Sequence, residues 1–350
     1  MYKTITLFNH KGGVSKTTTT FNLGWMLAEM GHCVVMIDAD PQCNLTGLVL
    51  DYQNAEDLDQ FYANHPNQNI HAGLAPAFES QPRMIEAVDC ISVKSREGLF
   101  LLPGHVNLSE YEVTLGIAQE LSGSIQALKN LPGAFHYFIS KVAAANKADF
   151  VLIDMNPSLG AINQNLLMTS DFFMVPTAPD YFSLMAIDSL CTVLPRWIDW
   201  AKKLHSGATL GDAVYPFPMP KLRFLGSIIQ KYRPRKGNAT EGFQSWIDEI
   251  NRRVVEKLFP ILRKSGTTFS DEVYTAAGIT AAQFYCLAQI PDFNTLIATS
   301  QIHQTPVFAL TDEMFGHTGT VLDRDKIKRD EFRGLFKNLA TQVVALAKNA

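Results

Sequence analysis

No apolar run in this sequence approaches the ~20 residues that a membrane-spanning helix needs. Cysteine is sparse: five residues, odd in number and with no C-x-x-C pair. That argues against a disulfide framework, a zinc site or an iron-sulfur site, and fits inert thiols in a reducing compartment. The first apolar strand begins within a few residues of Met1, leaving no room for a basic n-region, an apolar h-region and a cleavage site, so no export is expected. With 47% hydrophobic and 18% charged residues, the chain has too much apolar matter for a disordered polymer. A soluble, cytoplasmic protein is expected. The net charge of −4 gives no general support to nucleic-acid binding, but charge is unevenly spread. Lys221 to Lys264 holds eleven Lys/Arg against four Asp/Glu, a local +7 that leaves −11 for the remainder.

What is present begins with one stretch, Phe8-Asn9-His10-Lys11-Gly12-Gly13-Val14-Ser15-Lys16-Thr17-Thr18, between an apolar strand (Thr4 to Phe8) and a helix (Thr17 to Met30). Its two glycines let backbone amides curl around a phosphate where a side chain would collide. Lys16 adds positive charge, and the following helix points its free amides and positive dipole end at the same place. Thr17 supplies a hydroxyl suited to Mg²⁺. Gly12, Gly13, Val14, Ser15, Lys16, Thr17 and Thr18 are therefore the candidate phosphate cradle. His10 and Ser15 stand where G-x-x-x-x-G-K-[ST] has glycine, and a positive φ at Ser15 would be strained.

A second apolar run, Cys33 to Ile37, ends in Asp38-Ala39-Asp40-Pro41-Gln42, and a third, Phe150 to Ile153, ends in Asp154-Met155-Asn156-Pro157-Ser158-Leu159-Gly160. Continuous apolar runs of this kind belong to parallel strands covered on both faces, whose carboxyl ends bind ligands. Taken alone, the aspartates could be turn formers. Beside the loop, Asp154 is the carboxylate that a metal-assisted phosphoryl transfer needs to balance phosphate and Mg²⁺ charge.

The pattern K-G-G-x-x-K-T-T directly after the first strand, with D-x-D-P-Q after the second, resembles the ParA/MinD family of P-loop ATPases. The resemblance extends to Leu102-Pro103-Gly104, to Asp154 and the residues after it, and to Pro179 through Ser183. It implies an α/β fold, a doubly wound, mostly parallel sheet with helices on both faces, as a single domain over 1–350 in which the stretches 51–98, 206–221 and 265–282 read from their composition as insertions. It also implies the cofactors ATP and Mg²⁺ and an ATP-dependent homodimer. In it Lys16 and the loop would hold the phosphates, Thr17 the metal, and Asp38 and Asp154 its water shell. Asp40 would orient the attacking water, and Lys11 would reach into the partner subunit's site. Adenine would lie near Gln230 and Pro291. Asn156 departs from the proline of the family pattern.

Family members bind DNA nonspecifically through basic residues in the later part of the fold, which points to Arg252, Arg253 and Lys257 on the helix from about Thr240 to Phe259 and to nucleoid association. A solvated helix face is the plainer alternative. The resemblance also implies a ParB-like or cargo-adaptor partner, for DNA partitioning or cargo positioning. A protein-recruitment switch without DNA, a MinD-like membrane-positioning ATPase and a metabolic or nitrogenase-reductase-type P-loop enzyme are the other readings. Four further local features are expected: a capping box from Ser109 to Glu112, a helix from Leu184 to about Leu204 kinked or broken at Pro195, an edge strand from Gln283 to Ile290, and a last helix from Arg329 to about Lys348. The apolar stripe of that last helix is expected to pack on the sheet, with too little basic charge to favour lipid.

Overall fold

The computed structural model describes residues 2–51, 55–94, 96–121, 125–207, 212–235, 238–239 and 241–349. Parts of two expected insertions, 52–54, 95 and 208–211, lie outside them, as do Thr240 and Lys236 of the basic stretch. The elements in chain order are β1 (Lys3–Leu7), α1 (Lys16–Glu29), β2 (Val34–Ala39), α2 (Asn44–Leu50), α3 (Ala55–Asn64), α4 (Ile70–Phe78), β3 (Ile91–Ser92), β4 (Leu99–Leu102), α5 (Glu110–Leu121), α6 (Leu131–Ala145), β5 (Phe150–Met155), α7 (Ala161–Met168) and β6 (Phe172–Thr177). They continue with α8 (Tyr181–Ser206), β7 (Arg223–Tyr232), α9 (Glu241–Arg253), α10 (Phe259–Lys264), α11 (Asp271–Ala276), β8 (Cys286–Pro291), α12 (Leu296–Ile302) and α13 (Gly319–Ala347).

Eight strands form one sheet in the order β8-β7-β6-β1-β5-β2-β4-β3. All pairs are parallel except β3 with β4. The strands VVMIDA, FVLIDM and FFMVPT are buried along their whole length, as expected for β-branched and aromatic runs covered by helices on both faces. One register matters most for function. Leu7 pairs with Asp154, and Asp154 with Asp38, so two carboxylates end side by side at the carboxyl edge of the central strands.

One hydrophobic cluster runs through the strands and the helices that cover them. In it α1 packs on β2, β5 and α13. The last helix starts ten residues before the sequence expectation, at Gly319, and its stripe of Phe332, Phe336, Leu339, Val343 and Leu346 is buried. Phe336 lies 5.5 Å from Phe308 and 6.4 Å from Phe293, ring to ring. The stripe is therefore interior packing, as expected. Among the described residues no helix is long and apolar enough to cross a membrane.

Three local expectations are corrected. Pro195 does not break α8, which runs unbroken from Tyr181 to Ser206. Its buried face continues through Leu190, Leu194, Trp197, Ile198 and Ala201, and this packing holds both halves in line despite the missing amide. The helix expected from Thr240 to Phe259 leaves α geometry at Val254–Leu258, a π segment between α9 and α10. Glu112 makes no capping box with Ser109. The Ser109 hydroxyl donates to the Val106 carbonyl at 3.2 Å, and a 3-10 turn, Val106–Ser109, leads into α5. The Glu112 carboxylate instead accepts from the amides of Ala161 and Ile162, capping α7, where the unpaired amides and dipole favour an anion.

Phe336→Ala is expected to cost about 3–5 kcal/mol. Ile327→Ala, at a position 61% exposed on the same helix, should stay within about 0.5 kcal/mol. Urea unfolding midpoints check the pair, and equal losses would mean that the stripe is not interior.

Candidate active site

The loop between β1 and α1 closes with Gly13 at φ 74° and Ser15 at φ 57°. Gly13 takes the left-handed conformation at no steric cost. Ser15 takes it at the strain foreseen from the sequence, and this turn delivers Lys16 to the start of α1. No side chain caps α1, so its first amides remain available to an anion. The Lys16 ammonium, 7% exposed, donates to the carbonyls of Asn9 at 3.0 Å and Lys11 at 3.3 Å. Burial pulls it below its ordinary value, opposed by Asp154 and Asp40.

The two strand-end carboxylates are both fully buried but differ in their partners. Asp38 Oδ2 accepts from the Thr46 amide at 2.8 Å and the Thr46 hydroxyl at 2.7 Å, and Oδ1 from the Asp40 amide at 3.2 Å. A side chain at Gly104 would press on it, since a Cβ there would lie 3.0 Å from the Asp38 carboxyl carbon. Burial raises Asp38 to about 6, against the lowering pull of these hydrogen bonds. Among the described residues neither oxygen of Asp154 has a hydrogen-bond partner at ordinary geometry, and the Thr17 hydroxyl is the neighbour that approaches it. Burial, with Asp38 alongside, raises Asp154 to about 8, while the adjacent Thr17 hydroxyl and Lys16 pull it back. An unpartnered buried carboxylate facing a loop of free amides fits a cation held through water. Among the described residues no group of three or more His, Cys, Asp or Glu could hold a metal by itself. A cation such as Mg²⁺ would take most of its oxygens here from water or phosphate.

A cavity of about 470 Å³ opens over the loop, within the roughly 300–1,000 Å³ of small-molecule sites. Residues 12–18, Asp40, Gln42, Lys231 and Gln301 line it. Asp40 Oδ1 accepts from the Gln42 amide at 2.9 Å, and burial raises its carboxyl despite Lys16 nearby. A second cleft of about 590 Å³ lies among residues 64–89 and contains no motif residue.

A family model described as an AAA domain, AAA_31, matches residues 2–204, more than half of the chain. The chain belongs to this family, that of the ParA/MinD-like P-loop ATPases. It is 30% identical over 191 residues to the sporulation initiation inhibitor protein Soj of Bacillus subtilis, covering 54% of this chain and 64% of Soj. It is 29% identical over 195 residues to the chromosome partitioning protein ParA of Caulobacter vibrioides, covering 55% of this chain and 62% of that one. The chain thus spans less than two thirds of either relative. Its fold is similar to that of a Corynebacterium diphtheriae protein, with TM-score 0.65, 21% identity and coverage of 99% and 100%. It is also similar to that of apo McdA from Cyanothece, with TM-score 0.59, 16% identity and coverage of 99% and 100%.

In this ParA-like chain, the structure brings together the loop residues 12–18, Asp38, Asp40 and Asp154. Lys11 turns back onto its own chain. Its ammonium contacts both oxygens of Asp180 at 2.6 and 2.5 Å and the Ser183 hydroxyl at 3.1 Å. Gln230 lies on β7 but faces inward, donating to the Thr19 hydroxyl at 2.6 Å. Neither it nor Pro291 lines the cavity, where Lys231, at φ 60°, and Gln301 stand instead. Of the basic helix residues, Arg252 pairs with Glu249, Arg253 with Asp188 and Glu249, and Lys257 with Asp188 at 3.2 Å. Each of the three is thus paired with a carboxylate of its own chain.

Sequence reasoning missed Asp180, whose position before Ser183 carries a helix-start signal, and Asn163. Four oxygens of Asn156 and Ser158 lie between 2.8 and 3.2 Å from the Asn163 amide nitrogen and share its two N–H donors. This side chain braces the segment after Asp154 that lacks the family's proline. Asn163 had no signal in the chain, because its partners are five and seven residues away across a turn.

Between the ordinary carboxylate value of 3.8 and about 8, folded Asp154 keeps a proton that the unfolded chain releases. Stability of the nucleotide-free protein therefore falls as pH rises across that window, and the loss is complete above it. Asp154→Asn buries no charge and should recover on the order of a few kcal/mol near pH 8.5 and little near pH 5. Urea unfolding without nucleotide or Mg²⁺ checks this, and parallel pH slopes for variant and wild type would contradict it.

Proposed function

We propose that the chain is a Mg-ATP-dependent switch, dimeric with ATP and reset by slow hydrolysis, that serves DNA partitioning or cargo positioning. The observation that carries this is the unpartnered, buried Asp154 carboxylate facing the open amides of α1 beside Lys16. Bound Mg²⁺ would neutralise phosphate charge and orient the transferring group. Lys16 and the amides of residues 12–18 would hold the phosphates, Thr17 would offer its hydroxyl to the cation, and Asp38 and Asp154 would hold waters around it. Asp40, at the cavity wall, orients the attacking water. Lys11 leaves Asp180 and enters the partner's site, stabilising charge on the transferring phosphoryl group.

The whole of 1–350 is taken as one domain carrying insertions at 51–98, 206–221 and 265–282, an arrangement favoured by the continuous core. DNA contact through Arg252, Arg253 and Lys257 would exchange Glu249 and Asp188 for phosphates, so it should be weak and strongly salt-dependent. That pairing favours a second reading, recruitment of a protein partner without DNA.

Light scattering with ADP and with a slowly hydrolysed ATP analogue tests the switch. Wild type should be monomeric with ADP and dimeric with the analogue, and Lys11→Ala should lower ATP hydrolysis by about tenfold or more. A wild type that stays monomeric in both states removes the dimer switch. An ATP-dependent, salt-sensitive DNA shift lost in Arg252→Ala/Arg253→Ala would select partitioning over recruitment.

A further inference from the structure

The exposed face of α5 is apolar and acidic. Val113, Ile117 and Leu121 are 69%, 47% and 43% exposed and recur every four residues, one stripe along the helix. Glu110 and Glu120 are exposed on the same side. No Lys or Arg occurs between Arg96 and Lys129. The opposite side of α5 is fixed to the start of α7. Glu112 accepts from the Ala161 amide and Gln119 donates to the Ala161 carbonyl at 2.9 Å. Ala161 directly follows the Asp154–Gly160 segment, where Pro157 stands 3.7 Å from the place a Gly12 side chain would take.

We infer that this face of α5 docks a basic amphipathic helix of a partner protein and passes its presence to the phosphate loop through Ala161. The regulatory half rests on the proposed ATP site. A stripe at helical spacing is the footprint of a helix laid alongside, and the flanking glutamates select lysine or arginine beside its apolar face. A second copy of this chain fits poorly, since two α5 faces would set Glu110 and Glu120 against each other. Nucleic acid and anionic lipid are repelled by the same charges. A partner that shifts α5 shifts Ala161 with it, because both the amide and the carbonyl of that residue are held. The segment that ends beside Gly12 then moves in turn.

The probe is a fluorescein-labelled peptide of about 18 residues, five helical turns, with leucine at helical spacing and arginine elsewhere, and an acidic counterpart with glutamate for arginine. Fluorescence anisotropy should detect the basic peptide on wild type. Binding should weaken by about tenfold or more in Val113→Ser/Ile117→Ser and in Glu110→Lys/Glu120→Lys, and stay unchanged in Glu272→Lys/Glu313→Lys, which alters the same charge elsewhere. No binding to wild type, equal loss in the control, or equal binding of the acidic peptide would overturn the docking site. So would sedimentation showing a nucleotide-free wild-type dimer that Val113→Ser/Ile117→Ser dissolves. Saturating peptide should change the affinity for a fluorescent ATP analogue by about fivefold. Glu112→Ala, or Gln119→Ala if the first variant does not fold, should bind peptide normally and lose that change. An unaltered fivefold change in the folded variant overturns the route through Ala161. If wild type binds peptide but no nucleotide, the ATP reading fails while the docking site stands.

Discussion

Two carboxyl groups share the buried end of adjacent parallel strands, and the rest of the centre is arranged around the cost of charging them. The register that sets Asp38 opposite Asp154 places like charges together in a low-dielectric edge, which is costly without compensation. The compensation is unequal. Asp38 is satisfied by the Thr46 amide and hydroxyl, and α2 is thereby tied to the sheet. Asp154 is left for Lys16, Thr17 and whatever enters the cavity. A nucleotide-free state in which burial keeps Asp154 protonated is one that a cation, by favouring its ionised form, can stabilise by linkage.

The loops around that pair are held from outside the motifs. Asn163 gathers the turn after Asp154, while Glu112 and Gln119 fix the first residue of α7. Asp180 caps α8, accepting from the Ser183 amide at 2.9 Å, while it binds Lys11. One carboxylate thus serves a helix start and a loop lysine together. Movement of Lys11 toward a partner in the proposed dimer would leave Asp180 its cap and remove its ion pair.

The fold was legible because its evidence is local. Continuous apolar runs and the glycine pair before Lys16 each name an element within a few residues, and the parallel sheet follows from runs such as Cys33 to Ile37 that need cover on both faces. Where reading failed, a distant partner had decided. Glu112 satisfied a local capping pattern but went to α7, whose open amides offered a charged acceptor more. Pro195 carried a breaker signal that the buried face of α8 outweighed. Gln230 sat at the expected strand end and turned inward to Thr19.

The sequence by itself determined which residue types reach the nucleotide edge: Lys16, Thr17, Asp38, Asp40 and Asp154, each fixed by its distance from a strand end or helix start. Only the tertiary structure decided how they are satisfied. Strand register made Asp38 and Asp154 neighbours, α2 met one and not the other, and chain crossings brought Asp180 to Lys11 and Glu249 and Asp188 to the basic helix. Hydrogen-bond and charge partners are set by proximity in space, and proximity between residues 116 or 169 positions apart is a property of the packed sheet, not of either segment.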